Sequence, residues 1–233
     1  MGFLKVAVRT VAVAFCFLAG QATAQATYSF TSAPATPAQT TNHTTCTVGT
    51  CSSYPANAVI NINFTTATNL PAGLVATDIS TLVTSFVLTD GITTMASTDP
   101  QVSVNTFSVS TNGLGQVTSS RIDIYRWHGA KLAGQPLDNI YTTGGSVAVA
   151  YVNAPCISLG KGPAATSMTD NCVGGGSNGG NPNASTIRPS AGSYSSPPLP
   201  QPVPTLSEWA MIVFGLILAG GAALYIQRRQ FTA

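Results

Sequence analysis

Between residues 56 and 152 the apolar residues recur every second position in short runs, each closed by a turn signal. Ile60, Ile62 and Phe64 alternate with Asn61, Asn63 and Thr65. The run 81–89 ends at Asp90-Gly91, the run 102–110 ends at Thr111-Asn112-Gly113, and residues 116–127 place Ile122 and Ile124 on one face, with Arg121, Asp123 and Tyr125 on the other. A further strand is expected at 146–152. A period of two with Gly, Asn and Asp turns specifies half-buried antiparallel strands. A 3.6-residue period is absent from this stretch apart from a weak trace at 76–83. The expected fold class is therefore all-β, a single β-sandwich-like domain over residues 56–173, long enough for one hydrophobic core.

The flanks have other compositions. Residues 25–55 are rich in Thr, Ser, Ala and Pro without an apolar period and read as an irregular lead-in. Residues 174–202 are rich in Gly, then Ser and Pro, and read as a flexible linker passing into extended polyproline II. Charged residues are only 7% of the chain and its net charge is +2, against about 25% in an average soluble domain. Thr outnumbers all of them together. That balance excludes the dense basic surface of a nucleic-acid-binding protein.

Both termini carry export features. Lys5 and Arg9 precede the apolar run 11–19, and Ala22-Thr23-Ala24 supplies the small residues a signal peptidase accepts, so residues 1–24 read as a signal peptide and the mature chain begins at Gln25. Residues 210–226 contain no charge, with Trp209 and Tyr225 at the two ends and Arg228-Arg229 just beyond. Seventeen residues make roughly 26 Å of helix, at the short end for a bilayer. The Arg pair acts as the cytoplasmic stop. The precursor is expected in the inner membrane, with the N-terminal domain outside and the C-terminus cytoplasmic.

Immediately before this helix stand Val203, Pro204, Thr205, Leu206, Ser207, Glu208 and Trp209. The block, the helix and the Arg pair together resemble the IPTL-CTERM sorting signal of Gram-negative bacteria, over residues 203–230. Val203 stands where the family has Ile, and Ala210 where it has Gly. The resemblance implies recognition by an exosortase-type membrane enzyme that cuts near Val203, Pro204, Thr205, Leu206 and Trp209, followed by delivery to the cell surface or the extracellular space. Pro204 lacks an N–H and biases Val203 away from helical angles, which keeps the motif extended. Ser207 is the expected N-cap.

Apart from Cys16, four cysteines remain: Cys46, Cys51, Cys156 and Cys172. An even number in an exported chain points to disulfides. Three connectivities are open, and Cys46–Cys51 with Cys156–Cys172 is favoured because each closes a short polar loop. No zinc-type spacing is present, so neither a metal nor another cofactor is expected.

Catalytic signals are thin. The matches to G-x-S-x-G and G-x-G-x-x-G at 174–179 lie in a glycine-rich stretch without the strand and helix those motifs need. His43 sits in the lead-in, and His128 follows a strand end beside Arg126 and Trp127. Asp123, with Arg121, reads as ordinary surface charge. The expected function is a non-catalytic exported surface or extracellular-matrix protein, not an enzyme. One alternative is a carbohydrate-binding surface module stacking sugars on Tyr125, Trp127 and Tyr141, with His128 nearby. A second is a secreted hydrolase, which requires His128 and an Asp within hydrogen-bond reach in a cleft.

Overall fold

The computed structural model describes residues 25–46, 49–175, 184–197 and 206–230. Residues 1–24, with Ala22 and Ala24, and Val203, Pro204 and Thr205 lie outside them. The chain divides into two compact units, 1–197 and 198–233.

The first unit is a sandwich of two antiparallel sheets. Its strands are β1 (Ala26–Ser32), β2 (Thr40–Thr41), β3 (Asn61–Thr66), β4 (Thr77–Asp78), β5 (Val83–Thr89), β6 (Thr94–Ala96), β7 (Val102–Thr111), β8 (Val117–Trp127), β9 (Pro136–Thr142), β10 (Ala148–Gly160), β11 (Asn171–Gly175), β12 (Ser185–Ile187) and β13 (Gly192–Ser195). The smaller sheet runs β13-β1-β3-β5-β6. The larger runs β2-β12-β10-β9-β8-β7-β4, with β11 paired to β10.

The alternation read from sequence is what closes the sandwich. Ile60, Ile62 and Phe64 face Phe107, Ile122, Ile124 and Ile140 across one core, and all are almost fully buried. Phe64 meets Phe107 edge-on, ring centroids 5.3 Å apart, joining the two sheets. Both expected hairpins form. Asp90 N–H donates to Thr93 O in the β5–β6 turn, and Gly115 N–H to Asn112 O in the β7–β8 turn. The trace of helical period at 76–83 gives no helix: Thr77–Asp78 forms the edge strand β4, followed by a turn.

The flanks depart from the sequence reading. Residues 25–55 were expected to be irregular, yet Ala26–Ser32 forms β1, inside the smaller sheet, with Ala26, Tyr28 and Phe30 in the core. Thr27, Ser29 and Thr31 fill its other face, so a period of two is present but hidden in a Thr/Ser background. The linker reading of 174–202 is corrected at both ends. Gly174 and Gly175 belong to β11, and 184–197 supplies β12 and β13. Tyr194 of β13 packs against Phe30, while its hydroxyl pairs with Ser120 Oγ at 2.9 Å and donates to Gly145 O at 2.7 Å. These contacts hold a Gly/Ser segment that composition alone marks as flexible. β9 also went unread, because its polar Asp138 and Asn139 point to buried partners.

The second unit contains one helix, α1 (Leu206–Gln230). Leu206 is already helical, so Ser207 lies within the first turn of the helix and not before it. Trp209, Met211, Phe214, Leu216, Ile217 and Leu218 are exposed along it. Among the described residues no helix is long and apolar enough to cross a membrane.

Candidate functional site

The outer face of the larger sheet carries a groove of about 1030 Å³. Because β7 and β8 turn Phe107, Val109, Ile122 and Ile124 inward, the intervening Thr106, Ser108, Ser119, Arg121 and Asp123 form its floor, with Asn139 and Tyr141 of β9. Pro163 and Ala164, with Val173 and Gly174 of β11, complete its lining as walls.

Asp123 is the centre of this face. A register shift between Val104 and Thr106 makes a bulge at Asn105, and a bulge re-aims a side chain. Asn105 Nδ2 donates to Asp123 Oδ2 at 2.7 Å, and Asn139 Nδ2 donates to Oδ1 at 2.7 Å. Tyr125 O–H donates to Oδ2 at 3.3 Å. Burial raises the Asp123 pKa, and these donors only partly offset it. The sequence reading of Asp123 as ordinary surface charge is therefore corrected. What hid the cluster is that Asn105, Asp123 and Asn139 are far apart in sequence and meet only across three strands.

The walls are braced. Asp78 Oδ2 accepts from Ala165 N–H at 2.7 Å and Oδ1 from Ser80 N–H at 2.9 Å. Burial acts to raise the Asp78 pKa, but these backbone donors outweigh it and leave it lowered. Asn171 Nδ2 donates to Val104 O at 3.1 Å and to Ser167 Oγ at 3.1 Å. The Cys156–Cys172 disulfide ties β10 to β11 behind them, and Cys46–Cys51 closes the other short loop, as the favoured connectivity has it.

The aromatic platform expected of a carbohydrate module is not assembled from the residues proposed. Trp127 is 1% exposed and Tyr125 is 7% exposed. Both belong to a second apolar cluster with Leu137, Tyr151 and the Cys156–Cys172 pair. Tyr141 alone of the three is half-buried, stacked on Tyr151 with centroids 6.0 Å apart.

His128 and Asp138 do meet, His128 Nε2 lying 2.8 Å from Asp138 Oδ1. Neither lines the groove. Asp138 also accepts from Thr93 Oγ1 at 2.9 Å and from Asn153 N–H at 2.9 Å. Nearby Tyr54 O–H donates to the buried Asp90 at 2.7 Å. These polar bonds stitch the β5–β6 turn to β9 and β10. His43 is held by its own backbone N–H, which donates to Ser185 Oγ. Among the described residues no group of three or more His, Cys, Asp or Glu could hold a metal ion.

The C-terminal unit sets its own chemistry: a Trp-led apolar helix following Val203-Pro204-Thr205-Leu206 and ending in Arg228-Arg229. Residues 201–230 match the IPTL-CTERM motif. The match confirms the resemblance seen in the sequence and is limited to that segment. No curated protein and no solved structure matches the chain. The IPTL-CTERM motif marks a C-terminal sorting signal of an exported, cell-envelope protein, and processing by an exosortase-type enzyme is consistent with it.

Proposed function

We propose that the chain is a non-catalytic protein displayed on the cell surface or in the extracellular matrix. A signal peptidase removes residues 1–24. Residues 210–226 then span the inner membrane with Arg228-Arg229 in the cytoplasm, until an exosortase-type enzyme cuts at the motif and releases the β-sandwich. The observation that carries this reading is the IPTL-CTERM match at 201–230, which takes in Arg228-Arg229 at its end. The two disulfides suit a protein exposed to an oxidising exterior. The placement of Asp138, bonded at once to Thr93, His128 and the Asn153 backbone, supports a structural role for the His128 pair over a catalytic one.

The test is the mass of the surface fraction from cells that carry the processing enzyme. The expected species begins at Gln25 and lacks residues 210–233. Pro204→Ala is expected to slow its appearance, because Val203–Thr205 can then join the helix and withdraw the cut site. A surface species that still carries residues 210–233 overturns the reading.

A further inference from the structure

The geometry points to the groove on β7, β8 and β9 as a binding site for a neutral oligosaccharide. Sugar hydroxyls each donate one hydrogen bond and accept others, so a site for them needs fixed acceptors and donors side by side. Asp123 offers about four lone-pair positions, three of which are taken by Asn105, Asn139 and Tyr125. One acceptor position remains on a carboxylate that cannot rotate. Asn139 is 5% exposed, and its side-chain bonds to Asp123 and to Ile124 O both use Nδ2. Its Oδ1 makes no hydrogen bond among the described residues. Arg121, exposed and without a salt bridge among the described residues, supplies the donor. Ser108, Ser119 and Thr143 line the same space and can serve either way. Tyr141, fixed by stacking on Tyr151, adds an apolar ring for the C–H face of a sugar.

Other ligand classes fit less well. An anion would meet the carboxylates of Asp123 and Asp78 against the single Arg121 in the lining. A bare cation would meet a carboxylate with a single open position, the others held by two amide donors and a phenol. The volume lies at the top of the range for ligand pockets, about 300–1,000 Å³, which suits a chain of sugars. The bracing of the lining segments by Asp78, Asn171 and the Cys156–Cys172 bond means that little ordering accompanies binding.

The experiment uses the full chain, purified in a zwitterionic detergent without a sugar headgroup. It is titrated calorimetrically with three neutral hexasaccharides (β-1,4-glucose, β-1,4-N-acetylglucosamine and α-1,4-glucose), with inorganic phosphate as competitor. At least one hexasaccharide is expected to bind with Kd below about 1 mM, and Arg121→Ala and Asp123→Asn each to weaken it about tenfold. Arg121 is exposed, so Arg121→Ala keeps an unchanged melting temperature and decides the question even if Asp123→Asn unfolds. Binding by none of the three sugars, wild-type affinity in Arg121→Ala, or displacement of the sugar by phosphate overturns the proposal. None of these results bears on the tail, whose test is the mass of the released species.

Discussion

The Cys156–Cys172 bond is expected to be the stronger of the two staples, and its removal gives a graded prediction. Its cysteines are 16 residues apart in sequence, and those of Cys46–Cys51 are 5 apart. In the chain-entropy model, closing a loop of the longer length removes about 3 kcal/mol of unfolded-state freedom, and the shorter about 2 kcal/mol. Burial widens the gap. Cys156 and Cys172 are both 0% exposed inside the second apolar cluster, whereas Cys46 and Cys51 are half-exposed. Replacing the buried pair by Ala also deletes two packed sulfurs, at about 1 kcal/mol each. Cys156→Ala/Cys172→Ala should therefore cost about 5 kcal/mol, and Cys46→Ala/Cys51→Ala about 2 kcal/mol. Urea unfolding of the oxidised, exported protein, with both variants at equal slope, measures the two. Equal losses, or a larger loss from the Cys46 pair, would refute the reasoning that loop length and burial act together.

Two further outcomes follow from the polar interior and the last strand. Burial raises the Asp90 pKa against the lowering by its Tyr54, Thr93 and Ile92 donors, so its contribution is fully present below the unfolded carboxylate value of about 3.9 and is lost as pH rises through the folded value. Asp90→Asn should therefore gain stability relative to wild type as pH rises above the unfolded carboxylate value, and urea midpoints showing a pH-independent difference would contradict this. At Gly192 an added Cβ would run into the Phe30 ring and lie 2.9 Å from Thr31 O. Gly192→Ala should lower stability by about 1–3 kcal/mol, and a melting temperature equal to wild type would show that β13 is not packed as described.

How much of this was legible in the sequence depended on where each segment's partners lie. The hairpins β5–β6 and β7–β8 carry period, turn residues and partner within one stretch, so local reading suffices. The same holds for the sorting motif, whose extended Pro204 block, apolar run and Arg pair are contiguous. The strands β1, β12 and β13 each have a partner strand over a hundred residues away, β13 for β1 and β2 for β12. Phe30 and Tyr194 explain each other, but neither marks a strand in a Ser/Thr/Gly background. The groove was missed for a related reason. A bulge at Asn105 and a register match between β8 and β9 create it, and spacing along one strand encodes neither. Trp127 misled in the opposite direction: its aromatic ring invites a surface role, while its register opposite Leu137 buries it.

The pairing of β1 with β13, and of β2 with β12, means that the earliest part of the body waits for the latest. A polypeptide threaded across a membrane N-terminus first presents Ala26–Ser32 long before Gly192–Ser195 arrives, so the smaller sheet stays one strand short until almost all the body has crossed. Closure of the sandwich then coincides with arrival of the sorting motif only about ten residues further along. The β1 edge of the smaller sheet therefore stays open until the last strand of the body is in place.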